Sequence, residues 1–282
     1  MIDEGQILSR HEFRKKNSRL TILAIIFIFS LSLVVIISSN MTPGFSILFI
    51  LSILCATIAV VSLSSLLYLF LHNGPIFTYF LYEKGVRVFN HHNGNVYFIT
   101  FNKIQYIHKY HSGINPNGDI NTMAFRTSKV QQWNIIINNI TNAYPLINTI
   151  IHQQVMHVGI MSLNTLSRGK TIVFDVIKKN DNWLKMLIFN GLLNISMVKN
   201  IEMDTIPLSL SAHKLITTDG IINIEDILRI EILRENHHDK IRLFDTKGDI
   251  LFSVDYSTLI SADLFIALVE HMIQNRIPAY YG

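Results

Sequence analysis

Twelve histidines make imidazole the chemical group most open to metal or proton work in this chain. Eight of them fall close together, as His91-His92, His108 with His111, His152 with His157, and His237-His238-Asp239. A structural zinc site draws on Cys and His at set spacings, and here neither a cysteine pair nor a His-Glu-x-x-His helix accompanies them. Along a strand, His108 and His111 point to opposite faces. Adjacent histidines in a polar turn are ordinarily solvated, so no metal site is expected. The carboxylate pairs are Glu202 with Asp204, Glu225 with Asp226, and Glu231 with Glu235. General acid and base work needs environments that drive two such pKa values apart. Glu225-Asp226 instead falls in a turn, where acidic side chains accept backbone N–H groups. Gly113-Ile114-Asn115-Pro116-Asn117-Gly118 lacks the lysine, hydroxyl and following helix of a phosphate loop. No nucleophile elbow or kinase signature is present. The expectation is a non-enzymatic protein with no catalytic residue, no metal and no cofactor.

The elements that would position any site begin with an apolar stretch. Of 282 residues, 49% are apolar and only 16% charged, and from Leu20 to Tyr82 there is no Asp, Glu, Lys or Arg. Leu20 to Ser39 and Phe45 to Leu71 are each long enough for the ~20 residues that cross a hydrocarbon core. Asn40-Met41-Thr42-Pro43-Gly44 between them favours a tight reversal. A second long apolar run does not follow a cleaved signal peptide, so this pattern predicts a two-helix transmembrane hairpin. Ser30, Ser32, Ser38, Ser39, Ser46, Ser52, Thr57, Ser62, Ser64 and Ser65 supply small polar contacts for helix packing. The absence of ionisable residues in the spans argues against a channel or proton-coupled transporter. Arg10, Arg14, Lys15, Lys16 and Arg19 precede the first segment, and Lys84 and Arg87 follow the second. The positive-inside rule makes these the topology-determining residues and places both termini in the cytoplasm. The net charge of +4 is small, and beyond residue 82 acids and bases nearly balance. The basic footprint of a nucleic-acid binder is missing. The single cysteine, Cys55, lies in the second apolar segment and has no intramolecular partner.

Beyond the apolar stretch the pattern changes to short runs rich in β-branched and aromatic residues. IFTYFLY, VRVF, NVYFITF, IQYIHKY, TMAFRT and WNIIINN read as strands. A helix is expected from Asn142 to about Met156, with Pro145 in its first turn. The last third reads the same way. HKLITT, GIINI, ILRIEIL, KIRLFD and ILFSVDY are strands, and a helix from about Ser261 to Gln274 has Ser261 as its cap. FNKIQYI (101 to 107) and IEDILRI (224 to 230) share a layout, and their flanking hairpins and closing helices follow in the same order. Within residues 157–206, GKTIVFDVIKK reads as a strand that opens the second repeat, and NWLKMLIFNGLLNISMV reads as either two strands about Asn190-Gly191 or a buried helix, the Asn-Gly favouring the hairpin. The expected divisions are residues 1–19, a basic cytoplasmic segment; 20–72, the hairpin; 76–158, a first repeat; and 170–276, a second.

This order of elements resembles pleckstrin-homology-like domains of the bacterial type, found in small inner-membrane proteins with a helical hairpin and one or two such domains. The residues that carry the resemblance are Phe101-Asn102-Lys103-Ile104 and Ile224-Glu225-Asp226-Ile227, with the strands and helices after them. It implies an α+β fold: two pleckstrin-homology-like repeats behind the hairpin, each a bent antiparallel sheet closed by a C-terminal helix. It also implies a multi-pass protein of the bacterial inner membrane. Where that family grips phosphoinositides with clustered Lys and Arg, this chain has His91-His92-Asn93-Gly94 and Asp219-Gly220. The expected function is that of a membrane-anchored interaction or scaffold protein. Its partners would be membrane lipids through the hairpin and a protein, another or its own copy, but no nucleic acid. The alternatives are a lipid or small-ligand sensor at the membrane surface and a tethered toxin-immunity or stress protein.

Overall fold

The structure is a computed structural model that describes residues 4–12, 18–40, 46–71, 77–91, 94–110, 122–137, 140–178, 204–235 and 238–275. By compactness the chain divides into two units. One comprises residues 12–78 with 89–95, and the other comprises 1–11, 79–88 and 96–282.

In the first of these, α1 (Ser18–Asn40) and α2 (Ser46–Leu71) pack against each other. Ser30, Ser32, Ser52, Thr57, Ser64 and Ser65 each turn their hydroxyl back to a carbonyl of their own helix, three or four residues earlier. That self-bonding leaves those hydroxyls donating within their own helix, so the pair packs through apolar contact. Among the described residues no helix is long and apolar enough to cross a membrane. The expected transmembrane hairpin is overturned on that finding. The multi-pass inner-membrane placement and the cytoplasmic assignment of both termini, which rested on it, fall with it.

The second unit is α+β. Its strands form four small antiparallel sheets, none of which closes on itself. In chain order they are β1 (Ile7–Glu12), β2 (Phe77–Tyr82), β3 (Gly85–Asn90) and β4 (Val96–Thr100); then β5 (Tyr106–Tyr110), β6 (Thr122–Arg126) and β7 (Asn134–Ile137). The next four are β8 (Ile172–Ile177), β9 (Thr205–Leu210), β10 (Lys214–Ile216) and β11 (Ile221–Asn223). The last three are β12 (Arg229–Glu235), β13 (His238–Phe244) and β14 (Ile250–Asp255). This arrangement corrects the expected pair of bent sheets, each closed by a helix. A 3₁₀ turn interrupts the ladder between each four-stranded and three-stranded sheet.

Those turns are the two sequences that share a layout. Phe101–Lys103 and Ile224–Asp226 both form one 3₁₀ turn, entered from an extended residue. In both, the following isoleucine donates its N–H to the first residue, Ile104 to Phe101 O and Ile227 to Ile224 O, each at 3.1 Å. Phe101, Ile104, Ile224 and Ile227 are buried while Asn102, Lys103, Glu225 and Asp226 are exposed. The apolar residues at first and fourth place aim the turn inward, and the polar pair between them faces water.

The helix after β7, α3, runs from Ala143 to Ser167 and so passes well beyond Met156. Leu146, Ile147 and Ile150 bury its first half near β7 and the first 3₁₀ turn. Val158 and Leu166 bury its second half in the core of the second repeat, against Phe174, Leu208, Leu264 and Phe265. One helix therefore serves both repeats, which is why it is so long. It ends where Gly169 adopts φ +71° and donates to Leu166 O, with Lys170 donating to Thr165 O. The last helix, α4 (Ala262–Asn275), buries Leu264, Phe265, Leu268, Val269 and Met272, each contributing about 2 kcal/mol.

Two strands lie outside the expected pattern. β1 was read as part of a basic leader, yet it joins β2 in the first sheet. Its His11 is buried, held by Ser9 Oγ at 2.7 Å and by Thr141 O at 2.8 Å. β9 contains Pro207, which has no N–H for a ladder. It is tolerated because β10 pairs only with Ser209 and Leu210, leaving the chain beyond open on that side. The segment NWLKMLIFNGLLNISMV and the loop from Gly113 to Gly118 lie outside the described residues.

Candidate functional site

Leu259, Ile260 and Ser261 stitch the two repeats together. Leu259 bridges Val176 of β8, Ile260 N–H donates to Asp175 O at 2.9 Å, and Ser261 N–H donates to Ile107 O of β5 at 2.6 Å. Ser261 was expected to cap α4. Its φ of +58° turns the side chain toward β5 instead. Its Oγ accepts the Ile107 N–H at 3.1 Å and donates to Gln105 O at 3.0 Å. Gln154, buried on α3, donates Nε2 to the same oxygen at 3.2 Å and to the carbonyls of Ile104 and Gln105. Nearby, Lys129 meets the buried Asp175 carboxylate at 2.7 Å.

Next to this stitch lies a cavity of about 370 Å³ lined by Lys109, Thr122, Tyr144, Ile147, Asn148, Ile232, Asp239, Tyr256 and Asp263. Both repeats supply its walls. Its polar centre is a closed triad. The Tyr256 hydroxyl donates to Asp263 Oδ1 at 2.6 Å, and Lys109 Nζ donates to the same hydroxyl and lies 3.3 Å from Asp263 Oδ2. The ammonium also sits 4.6 Å from the centre of the Tyr256 ring. Burial first, and then the Asp263 charge, push the Tyr256 phenol far above its ordinary range. It stays protonated and acts as a donor. The arrangement suits holding a ligand by charge and ring contact.

On the other side of β5, His108 is buried and donates Nε2–H to Ser257 O at 2.8 Å, stacked on Tyr110. Burial lowers its pKa to about 4, so it is a neutral structural group. His152, His157 and His238 are exposed, and His91 contacts Thr78 Oγ1 at 2.8 Å. His92, His111 and His237 lie outside the described residues. No group of three potential metal ligands occurs among the described residues. Of the carboxylates, Asp226 accepts from Asn223, Glu231 pairs with Arg229, and Glu235 pairs with Lys240 and Arg242. Glu202 is not described.

The basic residues read as topology signals divide similarly. Arg10 lies over the Phe80 ring, and Arg87 pairs with Glu4 at 2.5 Å and covers the Tyr82 ring. Lys84 lies in the β2–β3 turn, where its carbonyl accepts the Phe101 N–H. Arg14, Lys15 and Lys16 lie outside the described residues, and Arg19 starts α1 with its side chain undescribed.

No family model, curated protein or solved structure matches this chain. The resemblance to bacterial pleckstrin-homology-like proteins therefore does not stand. Of what it rested on, the two turns with an apolar residue at first and fourth place are present as 3₁₀ turns, but the membrane hairpin and the helix-closed bent sheets are not. The cavity triad carried no mark in the sequence. Lys109, Tyr256 and Asp263 are separated widely, and an acid in a first helical turn is ordinary.

Proposed function

We propose that this chain is a non-enzymatic interaction protein whose α1–α2 pair is the contact element. The observation that supports this is the face these helices present. Leu23, Phe27 and Leu31 recur every fourth residue of α1 with 66%, 64% and 52% of their surface exposed, and Phe49, Ile53 and Val60 of α2, four and then seven residues apart, are exposed as well. Such density of exposed large apolar groups marks an interaction surface. The favoured occupant is protein, another chain or a second copy of this one.

Photo-crosslinking in intact cells from a reactive residue at Phe27 or Phe49 tests this. Protein adducts are expected from both positions, and they should be lost in the L23Q/F27Q/L31Q variant. If lipid adducts alone are recovered, the partner is lipid and the protein-partner reading fails. If neither is recovered, the interaction role itself fails. A second reading, a small-ligand sensor, is favoured by the cavity beside the stitch. Its 370 Å³ lies within the range of small-molecule sites.

A further inference from the structure

The cavity's charges are unequal. Lys109 is its one cation, and it is engaged by Asp263 and Tyr256. The Asp239 carboxylate, on β13 at the cavity wall and across the ladder from Arg234 of β12, makes no ion pair or hydrogen bond among the described residues. It is half-buried, so its charge is only partly answered by water. Around it stand the Tyr144 ring, itself 56% exposed, and the side chains of Ile147 and Ile232, the latter half exposed. The first turns of α3 and α4 also reach the cavity and bring partial positive charge. Asp263, in the first turn of α4, already answers that charge together with Lys109. The unmet charge is negative, and it lies beside an aromatic face and two branched aliphatic groups. That combination is what recognises ammonium groups carrying an apolar body.

We propose that this cavity binds a small organic cation. Its ammonium pairs with Asp239, and its apolar part lies between Tyr144 and Ile232. This assignment rests on the sensor reading and gives it a ligand class. Asn148 supplies a further polar contact for ammonium protons.

The test is ligand-detected NMR on the full chain in an uncharged detergent, with n-butylammonium and butyrate as probes of equal length and opposite charge. Saturable binding of n-butylammonium, weakened at least tenfold in Asp239→Asn, is expected. Butyrate should bind at least tenfold more weakly than the amine. Asp239 holds nothing in the fold, so the variant should retain its thermal transition, and a lost transition would itself contradict the claim that this carboxylate is free. If butyrate binds as well as the amine, the cation assignment is overturned and the sensor reading survives. If the amine binds equally to Asp239→Asn, the assignment is likewise overturned. If neither probe binds at tens of millimolar, both the assignment and the sensor reading fall.

Discussion

Replacing Ser261 with alanine isolates the stitch between the repeats. The hydroxyl serves three groups: the Ile107 N–H, the Gln154 amide and the Gln105 carbonyl. Gln154 keeps the carbonyls of Ile104 and Gln105, and Gln105 O keeps Gln154. The buried Ile107 N–H loses its acceptor, and an unsatisfied buried donor costs about 1–3 kcal/mol. Alanine tolerates φ +58° no better than serine does, so about 2 kcal/mol is expected. Glycine at 261 loses the same bonds but relieves roughly 1 kcal/mol of left-handed strain, so it should cost about half as much. Urea unfolding followed by Trp133 fluorescence reads this, with Trp183 changed to Phe to leave one reporter. Trp133 packs with Ile260 in the same cluster. Midpoints should fall in the order Ser, Gly, Ala with an unchanged slope. A cost below about 0.5 kcal/mol for alanine, or glycine worse than alanine, would refute the reasoning.

Three further outcomes concern groups set into this frame. The His108 pKa is lowered from 6.5 to about 4, so between those values the unfolded chain binds a proton the folded chain does not. Stability should therefore fall as pH drops through that window, by about 3 kcal/mol in total, and level off below pH 4. The difference between wild type and His108→Gln across the window measures it, and parallel curves would exclude the effect. A Cβ at Gly85 would stand 2.2 Å from the Ile99 carbonyl oxygen, whereas one at Gly159 meets only Leu264 Cδ1 at 3.7 Å. Gly85→Ala should destabilise by more than about 3 kcal/mol and open β3 and β4 to hydrogen exchange. Gly159→Ala should stabilise α3 by about 0.5–1 kcal/mol.

The strands and helices were largely legible because their signals are local. Alternation marked β2 to β7 and β10 to β14, and the apolar stripe of α4 gave its ends within a residue. What misled was context. β9 is absent from the expected strands, and its Pro207 fits only because the edge beside it is open. The second half of α3 looked like the end of a repeat because Val158 and Leu166 answer to a core formed by residues beyond 170. Ser261 preceded a helix and so read as its cap, while its φ and its partners 154 and 156 residues away assign it elsewhere. The cavity was illegible for the same reason. Lys109 and Asp263 are neighbours only after both repeats have packed. The apolar run from Leu20 marked α1 and α2 as helices, but no helix among the described residues is long and apolar enough to be the membrane span expected there.

The 154 residues between Ile107 and Ser261 also set a timetable. At roughly 5–20 residues per second of synthesis, β5 leaves the ribosome some 8–30 s before the serine that covers its outer edge. For that interval the first repeat carries an open strand, the sort of surface that recruits foreign strands. Slow stretches of translation between residues 110 and 261 would lengthen this exposure, and a chaperone acting there would bind a half-built sheet whose last stitch has yet to be made.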